Sequence, residues 1–320
     1  MRILVTGANG FIGNHLCIKL FEEGHQIVGL DQTENTSDFL IHYKDNQSVE
    51  VQTKMEENWS MLRRDLTDES TVYDLKKLGQ FDLIYHLASP IGVDKITNNS
   101  KETFRSTKLI NDAMDQYCKD TKTPIVFSSS SEVFGESENI TNDSYYKIKQ
   151  LSDSPRWSYA MSKAYTEMLF HLSDYKSSIV RFFNVVGPGQ ETPGMVIPSF
   201  FKAALKNNSL IIKENGIRSY CHVKEAIEKL IHVGNGLYDN EYNKQSFNIG
   251  NTKNVISAFI LAKKIIDITE SESVIEQLDS KQQLKTRILT EDNFEIENIP
   301  IDNILKDCYE YYKSTDSQTA

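Results

Sequence analysis

Three glycines between an apolar run and an amphipathic segment constrain the fold of this chain most tightly. The residues Ile3–Thr6 favour a strand, Gly7, Gly10 and Gly13 follow them, and apolar side chains then recur at helical spacing as far as Gly24. This order predicts a strand, a tight turn and a helix. Glycines in such a turn let the backbone approach a pyrophosphate at the positive end of the helix. The segment therefore predicts a dinucleotide site.

An acidic residue follows the second predicted strand. That strand covers Gln26–Leu30, and Asp31 stands 18 residues beyond Gly13. A carboxylate at this position can accept hydrogen bonds from the adenosine ribose, and it repels a 2′-phosphate. The spacing favours NAD over NADP, and the structural alternative is an Asp that only forms a turn.

Short apolar runs alternate with helical patterns through residue 183. Met61–Leu66, Phe81–Leu87 and Ile125–Phe127 are predicted strands, and residues 102–118 are a predicted helix. Continuous apolar strands are typical of a parallel sheet buried on both faces. The pattern predicts an α/β fold with a doubly wound parallel sheet.

Other stretches carry less information. Residues 32–58 are polar, and only a short helix over Ser37–Tyr43 is indicated there. Asp65 ends the third predicted strand, where it could reach an adenine or cap the following helix. Amphipathic helices are predicted over residues 195–205 and 301–312, and the apolar side chains of the first are interpreted as packing residues.

Polar groups are expected to meet at the carboxyl edge of the sheet, where ligands bind in such folds. Ser128–Ser131 and Glu132 directly follow a predicted strand. Tyr159 and Lys163 are four residues apart, so a helix presents both on one face. An ammonium beside a phenol stabilises the phenolate, which can then take a proton from an alcohol. A simple serine turn and a half-buried tyrosine with a solvated lysine are the structural alternatives.

Composition argues against other classes of protein. There are 45 acidic and 35 basic residues, the formal net charge is −10, and no basic patch is present. Such a chain repels nucleic acid and anionic membranes. No apolar run reaches the roughly 18 residues that span a bilayer. The cysteines form no CxxC pair, which indicates neither a metal site nor disulfides and favours a cytoplasmic chain; they are Cys17, Cys118, Cys221 and Cys308.

Several motifs occur in the order and spacing of one enzyme family. TGANGFIG at Thr6–Gly13, SSSSEVFG at Ser128–Gly135 and YAMSK at Tyr159–Lys163 together resemble the extended short-chain dehydrogenase/reductase family. Further matches are YHLAS at Tyr85–Ser89, VRFFNVVGPG at Val180–Gly189 and RSYCHV at Arg218–Val223.

The resemblance implies two domains and a cofactor. Residues 1–183 mainly form a Rossmann-type domain that binds NAD. Residues 184–320 mainly form a smaller α/β domain for a nucleotide sugar, with the chain crossing back near residues 218–250. The implied NAD-binding positions are Gly7, Asn9, Gly10, Phe11, Ile12, Gly13, Asp31, Asp65, Leu66, Leu87, Ala88, Ser89, Tyr159 and Lys163.

The turn around Glu132 resembles one branch of the family. Ser130-Ser131-Glu132 looks like the Thr-Ser-Glu of UDP-glucuronic acid decarboxylases, whereas 4,6-dehydratases usually have Asp-Glu and 4-epimerases lack the acidic pair. This implies decarboxylation of UDP-glucuronate or UDP-N-acetylglucosaminuronate to a UDP-pentose such as UDP-xylose. Two departures from the pattern are Phe134 in place of Tyr and Gly189 in place of Arg.

The resemblance also implies roles at the site. Tyr159, beside Lys163, removes the carbon 4 hydroxyl proton while hydride passes to NAD, and Ser130 hydrogen-bonds that oxygen. Glu132, with Ser131 and Arg218, positions the carboxylate of the substrate and handles the proton transfers there. The implied substrate-binding residues are Pro90, Asn184, Arg218 and, as the weakest candidate, Arg287.

Other activities are compatible with the same motifs. A 4-epimerase or a 4,6-dehydratase uses the same oxidation at carbon 4, and a non-catalytic NAD sensor needs only the cofactor turn. Relatives commonly form a homodimer through a four-helix bundle, here expected from residues 102–118 and 157–172. An internal pair of amphipathic helices gives the same pattern.

Overall fold

Strands and helices alternate along the chain. The computed structural model describes residues 1–33, 36–90, 98–135, 137–144, 146, 156–213, 215–278 and 286–319. The strands are β1 (Arg2–Thr6), β2 (Gln26–Asp31), β3 (Trp59–Arg63), β4 (Leu83–His86), β5 (Ile125–Ser130), β6 (Asn139–Ile140), β7 (Ser177–Phe182), β8 (Asn184–Val186), β9 (Leu210–Ile212), β10 (Ile217–His222), β11 (Ser246–Ile249), β12 (Val255–Ser257), β13 (Ile275–Gln277) and β14 (Ile288–Leu289). The helices are α1 (Phe11–Glu22), α2 (Asp38–Asp45), α3 (Val49–Asn58), α4 (Ser70–Lys77), α5 (Ser100–Thr121), α6 (Arg156–His171), α7 (Val196–Ala204), α8 (Val223–Tyr238), α9 (Ala258–Thr269) and α10 (Ile301–Thr319).

The central sheet has seven strands in the order β11-β7-β5-β4-β1-β2-β3, and every neighbouring pair is parallel. Side chains alternate between its two faces. Ile3 and Val5 pack in a core with α1 and α8, whereas Leu4 packs in the opposite core with α4, α5 and α6. The predicted doubly wound parallel sheet is confirmed.

A smaller unit has its own apolar core. Helices α7, α9 and α10 pack together there, around buried residues such as Phe201, Leu261 and Leu305. Its three-stranded sheet has the order β12-β10-β8. The chain returns to the large sheet after β10, because α8 packs against its core and β11 pairs with β7.

Two local predictions differ from the structure. The polar stretch before β3 contains two helices rather than one, each capped by a serine side chain, Ser37 for α2 and Ser48 for α3. The sequence pattern missed α3 because Met55 is its one buried residue, which leaves no apolar period. Strand β3 lies at the edge of the sheet and ends at Arg63, so Asp65 lies in the following turn.

A buried lysine ties the C-terminal segment to the large unit. Lys229 of α8 is fully buried and donates hydrogen bonds to Glu225 Oε1 at 3.0 Å, Gly250 O at 2.7 Å and Asp292 Oδ2 at 2.6 Å. Glu225 is also fully buried, and its other oxygen accepts from Asn251 Nδ2 at 3.0 Å. This cluster fixes the segment that follows β14.

Replacing Lys229 by Met is expected to lower the free energy of unfolding by about 3–5 kcal/mol, because Glu225 is left as an unpaired buried charge. Chemical denaturation followed by circular dichroism measures the loss. The matched control is Lys54→Met, since Lys54 makes the same i,i+4 pair with Glu50 while 60% and 79% exposed. The control should unfold like the wild type, and an equal loss in both variants would contradict the role of burial.

Candidate active site

A cavity of about 310 Å³ lies at the carboxyl edge of the large sheet, against the smaller unit. Its wall includes the predicted site residues Gly7, Gly10, Phe11, Ile12, Gly13, Leu87, Ser89, Ser130, Ser131, Glu132, Tyr159, Lys163 and Asn184. Eight further predicted positions lie outside that wall, namely Asn9, Asp31, Asp65, Leu66, Ala88, Pro90, Arg218 and Arg287.

The glycine turn leaves no room for side chains. Gly7 has φ +73°, and a Cβ on it would lie 2.8 Å from the Ala88 nitrogen. A Cβ on Gly13 would lie 2.1 Å from the carbonyl oxygen of Gly7. Helix α1 begins at Phe11, directly after this turn. The backbone can therefore approach a pyrophosphate at the helix N-terminus, and the turn fits a dinucleotide.

The Asp31 carboxylate is already oriented beside that turn. Its Oδ2 accepts a hydrogen bond from the Asn9 backbone N–H at 3.1 Å, and its Oδ1 accepts from Thr33 N at 3.0 Å and Thr33 Oγ1 at 2.5 Å. It can thus bind the ribose hydroxyls of an adenosine. Asp65 instead accepts from Thr67 N at 2.8 Å within a turn, and Leu66 is buried in the core.

Helix α6 carries the tyrosine and the lysine to the end of β5. Lys163 is 2% exposed, and its ammonium donates to the Ser128 carbonyl oxygen at 2.8 Å. The ammonium lies 5.7 Å from the centroid of the Tyr159 ring. The Ser130 hydroxyl hydrogen-bonds the Tyr159 phenol and accepts from the Glu132 backbone N–H at 3.2 Å. The expected serine, tyrosine and lysine thus share one wall of the cavity.

Electrostatics at this pair are set mainly by burial. Burial lowers the pKa of Lys163 to about 7, against the opposing charge of Glu167. Burial raises the pKa of Tyr159 well above its ordinary value, Glu132 adds to that shift, and the hydrogen bond with Ser130 opposes it. Ser130 and Glu167 are therefore the groups that favour the phenolate–ammonium form.

An arginine distant in sequence pairs with Glu132. Arg287 Nη1 donates to Glu132 Oε1 at 2.6 Å, and Nη2 donates to the Gly135 carbonyl oxygen at 2.8 Å. The side chains are 9% and 18% exposed, respectively. Arg218, at the start of β10, donates to the carbonyl oxygen of Ile217, and its backbone bridges that of Arg287. The structure thus places Arg287, the weakest of the substrate-binding candidates from the sequence, beside Glu132.

Some wall residues were not predicted as site residues. Gln190, Thr192 and Tyr220 line the cavity, and so do Met195, Val196 and Ile197, which were interpreted as packing residues. A mixed wall of apolar and amide side chains offers no periodic signal in a sequence.

Glu167 is another residue that the sequence reading missed. It is 2% exposed and accepts hydrogen bonds from Arg181 Nη2 at 2.7 Å and from the hydroxyls of Ser129 and Tyr146. Its position four residues after Lys163, on the same helix face, was the available signal.

The described residues contain neither a metal-binding cluster nor a membrane-spanning helix. Among the described residues, no group of three or more His, Cys, Asp or Glu side chains could hold a metal ion. No described helix combines the length and the apolar character needed to cross a bilayer.

Residues 3–250 match the model of the NAD dependent epimerase/dehydratase family. This match covers more than half of the chain, and the chain belongs to that family. The resemblance of the sequence motifs is thereby confirmed, and NAD is the cofactor.

The chain is similar to nucleotide-sugar decarboxylases and, in its fold, to a nucleotide-sugar epimerase. UDP-N-acetyl-alpha-D-glucosaminuronate decarboxylase of Bacillus cytotoxicus is 28% identical over 281 residues, covering 86% of this chain and 82% of the relative. UDP-glucuronic acid decarboxylase 6 of Arabidopsis thaliana is 28% identical over 246 residues, covering 74% and 66%. The structure of UDP-glucuronic acid 4-epimerase from Bacillus cereus, with UDP-glucuronic acid and NAD, superposes with a TM-score of 0.78 at 21% identity, covering 98% and 100%. This last likeness concerns the fold.

If Asp31 binds the adenosine ribose, Asp31→Asn should weaken NAD binding by roughly tenfold and shift the ratio of NAD to NADP affinity toward NADP, because the variant lacks the negative charge that favours the ribose hydroxyls over a 2′-phosphate. Titration calorimetry with both dinucleotides measures the two affinities. Asp68→Asn is the control, since the Asp68 carboxylate accepts from Ser70 N at 2.9 Å in a turn and does not line the cavity. An unchanged ratio of the two affinities in Asp31→Asn would contradict this role.

Proposed function

We propose that this protein is an NAD-dependent decarboxylase of a UDP-uronic acid, either UDP-glucuronate or UDP-N-acetylglucosaminuronate, which forms the corresponding UDP-pentose. NAD is assigned to the large unit and the nucleotide sugar to the smaller one. The observation that carries the proposal is the ion pair of Glu132 with Arg287 beside Tyr159. The decarboxylase relatives at 28% identity support it.

The ion pair suits an anionic substrate. Glu132 alone would repel the carbon 6 carboxylate of a uronic acid. Arg287 balances that charge, and its Nε–H has no acceptor among the described residues although it is buried. A buried donor without a partner is costly, and a substrate carboxylate could satisfy it. The pair therefore offers a cation to the carboxylate of the sugar, together with a Glu132 carboxylate that can accept and pass on a proton.

Each residue of the site has its own role in the proposed reaction. Bound NAD supplies a reversible hydride acceptor and donor at carbon 4. The Tyr159 phenolate takes the proton of the carbon 4 hydroxyl, the Lys163 ammonium stabilises that phenolate, and Ser130 hydrogen-bonds the sugar oxygen. The 4-ketone lies β to the carboxylate, so the bond between carbons 5 and 6 breaks and carbon dioxide leaves. Carbon 5 then receives a proton from the Glu132–Arg287 side of the cavity. When carbon 4 is reduced again, Tyr159 returns its proton to the carbon 4 oxygen, which completes the UDP-pentose.

Mass spectrometry of the products tests the reaction. The protein is incubated with NAD and each of the two UDP-uronic acids, with UDP-glucose as the neutral comparison and Tyr159→Phe as the inactive control. Loss of carbon dioxide supports the proposal. An isomer of unchanged mass identifies a 4-epimerase, and loss of water from UDP-glucose identifies a 4,6-dehydratase. No product from any sugar supports a non-catalytic NAD-binding protein.

Arg287→Met is expected to weaken binding of the UDP-uronic acid by about 10- to 100-fold and to leave UDP-glucose binding unchanged. Without Arg287, the Glu132 carboxylate repels the carbon 6 carboxylate of the uronic acid, and UDP-glucose has no such charge. Calorimetry in the presence of NAD measures both affinities. The double variant Glu132→Gln/Arg287→Met should regain binding of the uronic acid without regaining turnover.

A different result would give Arg287 another role. Equal weakening of UDP, UDP-glucose and the uronic acid in Arg287→Met would mean that Arg287 holds the diphosphate. Arg287→Lys keeps the charge, and its thermal unfolding together with that of Arg287→Met reports any loss of fold.

We also propose that the protein acts as a cytoplasmic homodimer. Helices α5 and α6 pack on one another, and apolar side chains stay exposed on them or directly after α6, including Leu109, Tyr165, Met168 and Leu172. Pairing of these helices with those of a second copy would cover these side chains in a four-helix bundle. All four cysteines are free and buried, which supports a reducing compartment.

Met168→Glu is expected to shift the protein from dimer to monomer, because a carboxylate would be buried at the centre of the apolar contact. Light scattering after size-exclusion chromatography measures the mass. The control is Val49→Glu, which places the same charge on α3 at a residue that is 80% exposed. A wild-type monomer, or a dimer in Met168→Glu, would contradict this interface.

A further inference from the structure

A line of hydrogen bonds crosses the core between β1 and α6. Thr6 Oγ1 and His86 Nδ1 are 2.7 Å apart, and His86 Nε2 and Asn111 Oδ1 are 2.9 Å apart. Asn111 Nδ2 donates to Thr166 Oγ1 at 2.7 Å, and Thr166 Oγ1 donates to the Ser162 carbonyl oxygen at 2.8 Å. Each of these five residues is at most 2% exposed. The line joins β1, β4, α5 and α6.

The donors and acceptors along this line can be arranged in one direction only. The Thr166 hydroxyl donates a hydrogen bond to the Ser162 carbonyl oxygen, so its oxygen accepts the hydrogen bond from the Asn111 amide N–H. The Asn111 oxygen then accepts from His86, which must carry its proton on Nε2, and Nδ1 accepts from the Thr6 hydroxyl. Burial lowers the pKa of His86 to about 3, which keeps the imidazole neutral.

The line ends at the two functional parts of the cavity. At one end, Thr6 Oγ1 accepts a hydrogen bond from Ala88 N at 3.2 Å, and a Cβ added to Gly7 would lie 2.8 Å from the same nitrogen. At the other end, Ser162 Oγ donates to the Tyr159 carbonyl oxygen at 2.8 Å, directly before Lys163. The glycine turn and the tyrosine–lysine pair are therefore connected without any ligand.

Stability alone does not account for these groups. The His86 ring lies among apolar rings, with centroid distances of 5.9 Å to Phe127 and 6.2 Å to Phe170. Apolar side chains of similar shape in place of both hydrogen-bonding partners are often nearly neutral for stability. A complete line of hydrogen bonds in such surroundings sets the spacing of the helices and strands that it joins.

We infer that His86 and Asn111 are positioning residues, which hold α6 at a set distance from the glycine turn so that proton and hydride transfer meet at the same carbon. This inference rests on the proposed function only for the oxidation at carbon 4. Both residues are at most 1% exposed and neither lies on the cavity wall, so they act through the elements that they join.

Two threonines provide a matched test. Thr107 and Thr166 are both buried, and each donates to the carbonyl four residues earlier, at 2.7 Å and 2.8 Å. Thr166 also accepts from Asn111. We expect Thr166→Val and Asn111→Leu to lower kcat on the order of tenfold at unchanged KM, since a misplacement of about 1 Å costs about 100-fold. The kinetic isotope effect with substrate deuterated at carbon 4 should rise, and Thr107→Val should match the wild type in both readouts.

A readout that needs no turnover accompanies the kinetics. Nitrogen NMR of the histidines should show His86 as the neutral Nε2–H form in the wild type, and Asn111→Leu should lose that single form while keeping its thermal unfolding and NAD affinity. Equal loss of kcat in Thr107→Val and Thr166→Val, an unchanged isotope effect, or an Nδ1–H form in the wild type would each overturn the inference. A wild type inactive on every sugar would refute the proposed function, and the NMR readout alone would then decide this inference.

Discussion

The hydrogen bond from the Lys163 ammonium to the Ser128 carbonyl oxygen holds the candidate site together. It joins α6 to the end of β5 in a buried position, where a lysine must have a partner. The bond sets the turn of α6 that faces the sheet, and so it places Tyr159 against Ser130. The same burial lowers the pKa of Lys163, so the phenolate–ammonium form of the pair depends on Ser130 and Glu167.

The structure contains several buried ion pairs. The pair of Arg287 with Glu132 and that of Lys229 with Asp292 link segments that are far apart in sequence. The pair of Arg181 with Glu167 joins β7 to α6 within the large unit. Such pairs contribute little net stability, because desolvation offsets their attraction. Their orientation is nevertheless well defined, since each oxygen needs its donor. The site therefore has charged groups with set directions at its edge and an apolar wall inside.

Much of the site was predictable because its chemistry is carried by local patterns. The glycine turn and the pair of Tyr159 and Lys163 depend on spacings of a few residues, and Asp31 stands 18 residues beyond Gly13 in the same strand–helix–strand unit as the turn. The family match confirms the NAD cofactor that these features indicated. Helix α3 escaped prediction for the converse reason, since a surface helix with one buried residue has no apolar period.

The sequence by itself determined the class of fold, the cofactor and the spacing of the tyrosine and lysine, because strand burial, turn geometry and helix periodicity are local properties. Only the tertiary structure decided which arginine accompanies Glu132, since the two residues are separated by 155 positions and meet through the pairing of β14 with β6. It also decided that Asn111, within a helix pattern, joins His86. Contacts of this kind depend on how the elements pack, and no single segment encodes them.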